Sequence, residues 1–484
     1  LISIVLISSP VSLEARYGKY SAAGNTQPTF ALVCLGAIAE QEGAHVRVID
    51  AAAENLSIEA CLQEILSAQP RLVGISSTTV GISASGKLAA RIKGVLPETL
   101  VIIGGCHVTA LPEETLSEFE GFDMAVIGEG EETFREVIRS AGAGMSVPDG
   151  LPGTAIRKNG GVIVHPRRPF IRDLDELPLP AWHLLRGFPE AYHPSPARIR
   201  RAPCASVVLT RGCPNRCLFC DRSVFGNRVR AYSPARAIDL VRQLRSEFGV
   251  KEILIEDDTF ITSRSRVEAF CAGIVDGKID ITWSCLGRAD NVSPAILKRM
   301  REAGCWHISF GIESGDQAIL DAMQKRERLP DVENAVRWSH EAGLKTSGFF
   351  ILGFPGETPD SLDRTRTFAL KLPLDDISIM RLTPFPGTAL YESISRHGTF
   401  TREWEKMNIL NTVFVPNGLT EQDLDRARNR ILREFYFRPR ILFSKMKALM
   451  RNRNLFLPLL RGLMAFIRVT SDGTGSAKSR EAAR

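Results

Sequence analysis

In the stretch TRGCPNRCLFCDRSVFG, residues 210–226, Cys213, Cys217 and Cys220 fall within eight positions, and no fourth cysteine stands nearby. Thiolates select zinc or iron–sulfur clusters, and structural zinc takes four closed ligands, commonly as two separated pairs. Three thiolates in one loop fit a 4Fe-4S cluster better. A cluster held by three cysteines keeps one iron open to a substrate or cofactor, which a fully ligated electron carrier does not. Gly212 and Pro214 shape the loop, the strand-like ASVVLT delivers it, and Phe219 is suited to shield such a cluster from water. The other seven cysteines (Cys34, Cys61, Cys106, Cys204, Cys271, Cys285, Cys305) are scattered singly and read as reduced core residues. This usage points to a reducing cytoplasm, not to a disulfide scaffold.

The elements that must position this loop form two α/β alternations. Residues 1–140 alternate short apolar strands (ISIVLIS, HVRVIDA, RLVGISST, LVIIGGC, DMAVIGEG) with helical stretches, the pattern of a doubly wound, Rossmann-like parallel sheet. Ligands of such sheets sit at the strand carboxyl ends, here Ser76, Ser77, Thr78, Gly104, Gly105, Gly128, Glu129 and Gly130. Residues 141–203 read as a linker with a hairpin at TAIRKNGGVIVHP. Six further βα units over 204–400 predict a partial TIM-like barrel, with chemistry at its strand carboxyl ends. A helical basic region follows over 401–470, and 471–484 reads as a disordered tail.

A chain of 484 residues exceeds one hydrophobic core, and no apolar run reaches the length of a membrane span. The opening LISIVLISSP lacks a basic leader and a cleavage pattern, so it reads as a buried strand; the initial Leu is compatible with an alternative start codon or a truncation. The net charge is +6, yet eight Lys and Arg and no acid lie between Phe435 and Ser471; subtracting them leaves −2 for the remainder. Basicity confined to one segment argues against a nucleic-acid partner. It is compatible with an amphipathic stretch, NLFLPLLRGLMAFIRV, lying on an anionic leaflet, which would suit a lipid substrate.

The CX3CX2C spacing, after the first strand of a sixfold βα alternation, resembles the radical S-adenosylmethionine superfamily. The resemblance implies that the open iron chelates the amino and carboxylate groups of S-adenosylmethionine. One electron from the cluster then breaks the sulfonium bond, and a 5'-deoxyadenosyl radical abstracts hydrogen from substrate. It further implies that Glu256, Asp257 and Asp258, in IEDDTF, bind the methionine ammonium. Arg288 would contact the carboxylate, Glu313 and Ser314 the ribose, and FFILGFPGET the adenine. Asp257, Arg288 and Glu313 are expected to face the open iron together.

The first alternation and the linker, through GGCHVTALPEETL, VIGEGEETF and IRDLDELPLPAW, resemble the cobalamin-binding subgroup of that superfamily. Strand-end glycines let backbone approach a planar corrin, and the hydroxyls of Ser76, Ser77 and Thr78 suit its amides. No GxGxxG follows the first strand, which weakens a dinucleotide reading. The DxHxxG of other cobalamin proteins is replaced by DAAAEN, Asp50 to Asn55, so no histidine there reaches cobalt; His107 matches a family segment near the corrin. The implied function is a cobalamin-dependent radical methyltransferase acting on an unactivated carbon of a small molecule or lipid, with a reductant such as flavodoxin or ferredoxin. Cyclisation, oxidation or rearrangement with the same cofactors, and a non-catalytic cobalamin or redox sensor, are the alternatives.

Overall fold

The computed structural model describes residues 2–17, 26–144, 148–194 and 198–451. Five strands, β1 (Ser3–Ser8), β2 (His45–Ile49), β3 (Leu72–Ser76), β4 (Leu100–Gly104) and β5 (Met124–Val126), pair in parallel in the order 2-1-3-4-5. Helices 30–41, 58–68 and 82–95 cross between them. Their near-continuous apolar runs are buried on both faces, as a helix-covered parallel sheet requires. The strand order reverses about β1, which opens a crevice between β1 and β3 at their carboxyl ends. The expected hairpin forms as β6 (Thr154–Lys158) and β7 (Gly161–Val164). It pairs antiparallel with β5, so it extends the first sheet and does not stand apart in a linker.

The second sheet has six parallel strands in sequential order: β8 (Cys204–Val207), β11 (Glu252–Ile255), β12 (Thr282–Gly287), β13 (Cys305–Glu313), β14 (Lys345–Leu352) and β15 (Asp376–Arg381). Between β8 and β11 a short antiparallel ribbon, β9 (Thr210–Arg211) with β10 (Arg230–Ala231), closes the base of the cysteine loop. Ser233-Pro234, Ser293-Pro294 and Thr358-Pro359 open three of the covering helices. In each the hydroxyl accepts a backbone N–H of the first turn while proline occupies the first helical position, where its missing N–H costs nothing.

One apolar core runs from the first sheet through Trp182 to the helices of the second; another covers the opposite face of the first sheet and takes in Trp404, Met407 and Val413. The region after Thr401 is therefore not helical at once. Its apolar residues lack helical spacing, and Pro416 and Gly418 break the chain, so 398–400 pairs with 414–416 as a ribbon before helices 421–436 and 439–451 begin. Among the described residues no helix is long and apolar enough to cross a membrane. The amphipathic stretch, residues 454–469, and the expected disordered tail both lie outside the described residues.

Candidate active site where the two sheets meet

The cysteine loop is fastened on several sides. Asp258 accepts the Gly212 N–H at 3.1 Å, Leu218 bonds Met323 O and the Leu390 N–H, and Arg222 reaches Asn215 O at 2.7 Å. Cys213 Sγ accepts from Asn215 Nδ2 at 3.3 Å, Cys217 is buried and Cys220 is open to solvent. Phe219 packs against the apolar group formed by Ile319, Leu320, Met323 and Phe354. Burial pushes the Cys217 thiol up, partly offset by the nearby charges of Lys325 and Arg288. Although Cys220 is exposed as a residue, the protein around its sulfur, together with Cys217, Asp258 and Cys213, pushes the thiol up. Cys217 and Cys220 both resist ionising here, and a cationic core beside them would offset that cost, which is the donor chemistry of an iron–sulfur cluster. Among the described residues no three His, Cys, Asp or Glu converge on a single ion. A cluster differs in this respect, since it distributes its cysteines over separate irons.

Across from Cys217, the rim of the second sheet carries a buried ionic group. Arg288 grips Asp290 through Nε (3.0 Å) and Nη2 (2.8 Å) and donates to Lys325 O at 2.9 Å. Lys325 Nζ lies 3.4 Å from Glu313 and 3.5 Å from Glu327, and Glu327 Oε1 accepts the Ala289 N–H. Lys325 is 5% and Glu327 1% exposed, and Glu327 Oε2 makes no hydrogen bond. Burial raises the Glu313 carboxyl, with Lys325 and Arg288 pulling the other way. Burial works against the charge of Lys325, but Glu313 and Glu327 outweigh it and keep its pKa above the ordinary value. Glu313, Gln324 and Arg326 all take left-handed φ values of +67°, +53° and +55°, an uncommon conformation for such residues and one that clusters at functional sites. Ser314 is engaged with Thr365 and the Asp316 N–H. In the loop after β14, Glu357 accepts the Gly353 and Phe354 N–H groups, leaves Oε1 without a partner, and is pushed up to about 8 by burial.

The structure brings Arg288 and Glu313 together beside Cys217, but it separates the three acids of IEDDTF. All three lie past the end of β11 at Ile255, and each takes a partner of its own. Glu256 pairs with Arg198 at 3.0 Å, Asp257 pins the Leu209 N–H at 2.6 Å near Arg266, and Asp258 holds the cysteine loop. Asp257 is pushed up to about 7 by burial, and its Oδ2 is unpartnered. Nothing in the sequence singles out Lys325 and Glu327: QKRER looks like a solvated charge run, and only the left-handed turn around Lys325 buries it.

At the carboxyl ends of the first sheet, Cβ atoms built on Gly104 and Gly128 would meet nothing nearer than 4.0 Å, leaving room for a large flat ligand. Gly105, at φ +114°, packs so closely that a Cβ would strike Ser77 O at 2.2 Å. Gly130 caps helix 131–142, Thr78 is exposed, and Ser76 O and the Ser77 hydroxyl are bonded to Ser9. A cavity of about 370 Å³ opens at the β1/β3 crevice, lined among others by Pro10, Asn55, Leu56, Val80 and Glu405. His107 is buried: Nδ1 lies 3.3 Å from Thr79 Oγ1, Trp404 meets the ring edge-on at 4.8 Å, and burial pulls its pKa down to about 4. Glu129 has both oxygens engaged by Arg211, Arg230 and the Ile171 N–H.

Two family models match this chain: the radical SAM superfamily over residues 207–369 and the B12 binding domain over residues 21–138. An uncharacterized methyltransferase of Pyrococcus horikoshii is 33% identical over 423 residues, covering 87% of this chain and 90% of that protein. The anaerobic magnesium-protoporphyrin IX monomethyl ester cyclase of Cereibacter sphaeroides is 26% identical over 427 residues, covering 87% and 69%. The solved structure of OxsB, a cobalamin-dependent S-adenosylmethionine radical enzyme with aqua-cobalamin and S-adenosylmethionine bound, shares the fold, with a TM-score of 0.74 at 15% identity over 95% of this chain and 72% of that one. The chain therefore belongs to the radical S-adenosylmethionine superfamily, as an enzyme with a B12-binding domain whose cofactors are a 4Fe-4S cluster, S-adenosylmethionine and cobalamin.

Proposed function

We propose that the chain is a cobalamin-dependent radical methyltransferase acting on an unactivated carbon of a small-molecule substrate. One observation carries the reading: the cysteine loop lies against both an incompletely paired ionic rim on the second sheet and the unit that bears the glycine-lined strand ends of the first. When bound, the cluster supplies the electron that cleaves S-adenosylmethionine, and cobalamin carries the methyl group. The chain's own residues hold and orient these groups. Cys213, Cys217 and Cys220 take three irons and leave the fourth open. Arg288, through its fork, and Lys325, as a point charge, partner the methionine carboxylate. Glu313 accepts from ribose hydroxyls, and Glu256 offers a carboxylate to the ammonium. Thr78, Gly104, Gly105, Gly128 and Gly130 line the corrin, and Phe219 keeps water from the cluster.

The test is anaerobic turnover of the reconstituted protein with methyl-labelled S-adenosylmethionine, a reductant and candidate substrates. S-adenosylhomocysteine, 5'-deoxyadenosine and a labelled product are expected together. 5'-Deoxyadenosine with an unlabelled, ring-closed product would instead favour the chemistry named for the Cereibacter relative. A peripheral lipid contact is a second reading, favoured by the exposed Phe437, Leu442, Phe443 and Met446 around helix 439–451. Full-length protein should co-sediment with anionic vesicles and lose about tenfold in binding on Phe443→Glu; equal binding of both proteins would remove it.

A further inference from the structure

Arg211 and Arg230 stand directly opposite each other in the β9/β10 ribbon, one at each end of the loop that contains all three cysteines. Both reach one carboxylate in the cobalamin-binding unit. Glu129 Oε1 accepts from Arg211 at 2.9 Å and from Arg230 at 2.8 Å; Oε2 accepts from Arg230 at 2.8 Å and from the Ile171 N–H at 2.9 Å. Arg211 also grips Glu131 at 2.5 Å. The group is shut away from water, with Arg211 5%, Glu129 8% and Glu131 6% exposed. Gly212, at φ +86°, lets the loop close tightly behind it, since a Cβ there would strike Arg228 O at 2.3 Å. Farther out, Arg167 bridges Ser223 O of the loop and Thr109 O of the first unit.

Buried ion networks gain little net stability over apolar packing, but their short, directional bonds fix orientation. This one joins Arg211, two residues before Cys213, to Glu129, which lies between Gly128 and Gly130. We propose that Glu129, with Arg211 and Arg230, is a positioning clasp that holds the cysteine loop against the cobalamin-binding unit and so sets the separation of the two metal centres. Glu129 then acts through the loop, not by touching a cofactor. The inference rests on the cluster being held by Cys213, Cys217 and Cys220.

Glu129→Gln is the discriminating variant. It leaves Arg211 paired with Glu131, and Arg230 bonded to the carbonyls of Ile171 and Phe225, so neither arginine is stranded. In the reconstituted full-length protein, cluster and cobalamin content should stay within about twofold of the parent. The magnetic coupling between the reduced cluster and cob(II)alamin, read by electron paramagnetic resonance, should broaden or vanish. Amide exchange across residues 212–229 should rise about tenfold or more, and 5'-deoxyadenosine formed per product should rise by a similar factor. Glu129→Asp, which keeps the charge, should restore the coupling in part. Unchanged coupling and unchanged exchange in Glu129→Gln would overturn the clasp. So would a uniform loss of all activities at a fixed 5'-deoxyadenosine-to-product ratio. Cys217→Ala isolates the underlying reading: a cluster signal that survives it defeats the ligand assignment, whatever Glu129 does.

Discussion

The two buried ionic groups that flank the cysteine loop differ in how completely they are paired. In the clasp the ion-pair contacts are short, at 2.5 to 2.9 Å, and both Glu129 oxygens are engaged, with Arg230 Nε alone left without a hydrogen bond. On the barrel rim Lys325 stands 3.4 and 3.5 Å from its acids, Arg288 is 3.6 Å from Glu327, and Glu327 Oε2 has no hydrogen bond. A buried charge held so loosely keeps most of its desolvation cost without full return, and a ligand with its own charges restores the balance. The group with short ion pairs is thus built to hold protein to protein, and the loose one to receive a charged cofactor.

The strongest way to break this contrast is Lys325→Met. Removing the shared cation leaves Glu313 and Glu327 buried together, and the ligand-free protein should lose about 3–5 kcal/mol in chemical denaturation. Adding Glu327→Gln should recover a good part of that. S-adenosylmethionine should bind about a hundredfold more weakly to the single variant, about 2.7 kcal/mol, by calorimetry. If affinity is unchanged while stability falls, the rim is a structural brace and the contrast fails.

Asp257 marks the far end of the same scale, a buried carboxyl that takes the Leu209 N–H and, among the described residues, has no ion pair in contact. Burial raises its folded pKa from 3.8 to about 7, so the folded state keeps a proton that the unfolded chain releases near pH 4. The resulting stabilisation is present in full below about pH 4 and is lost as pH rises through 7, amounting to roughly 4 kcal/mol at most. Asp257→Asn keeps an oxygen for the Leu209 N–H and should flatten the stability profile between about pH 4 and 7. A parallel slope in both proteins would mean that Asp257 stays ionised.

Much of this arrangement was legible in the residues themselves. Apolar strands alternating with helical stretches announce both sheets, and three close cysteines without a fourth announce an open cluster. What escaped has a common cause, a partner far away in sequence. Arg211 and Arg230 meet Glu129 about eighty and a hundred positions away, so Glu129 read as a cofactor contact with its neighbouring glycines. Lys325 is hidden by a charge run that looks solvated. The acids at 256 to 258 read as one group, although each finds a separate partner, Arg198, the Leu209 N–H and the Gly212 N–H. The ribbon at 398–416 escaped because Trp404, Met407 and Val413 are apolar for the sake of the first sheet, not of a helix.

Smaller substitutions sharpen the contrast by sparing total charge or by removing a redundant partner. Arg288→Lys keeps the cation but loses the paired bond to Asp290, and it should weaken S-adenosylmethionine binding about tenfold, near 1.4 kcal/mol. Glu131→Gln is the mildest case. Arg211 keeps Glu129, Gln still offers an oxygen, and the stability cost should stay near 1 kcal/mol, with affinity for S-adenosylmethionine unchanged. Saturating S-adenosylmethionine should slow amide exchange around Lys325 in this variant as in the parent, because the rim responds to ligand while the clasp does not. If Glu131→Gln moves affinity as far as Arg288→Lys does, the two groups form one coupled network, and the division between holding protein and receiving cofactor dissolves.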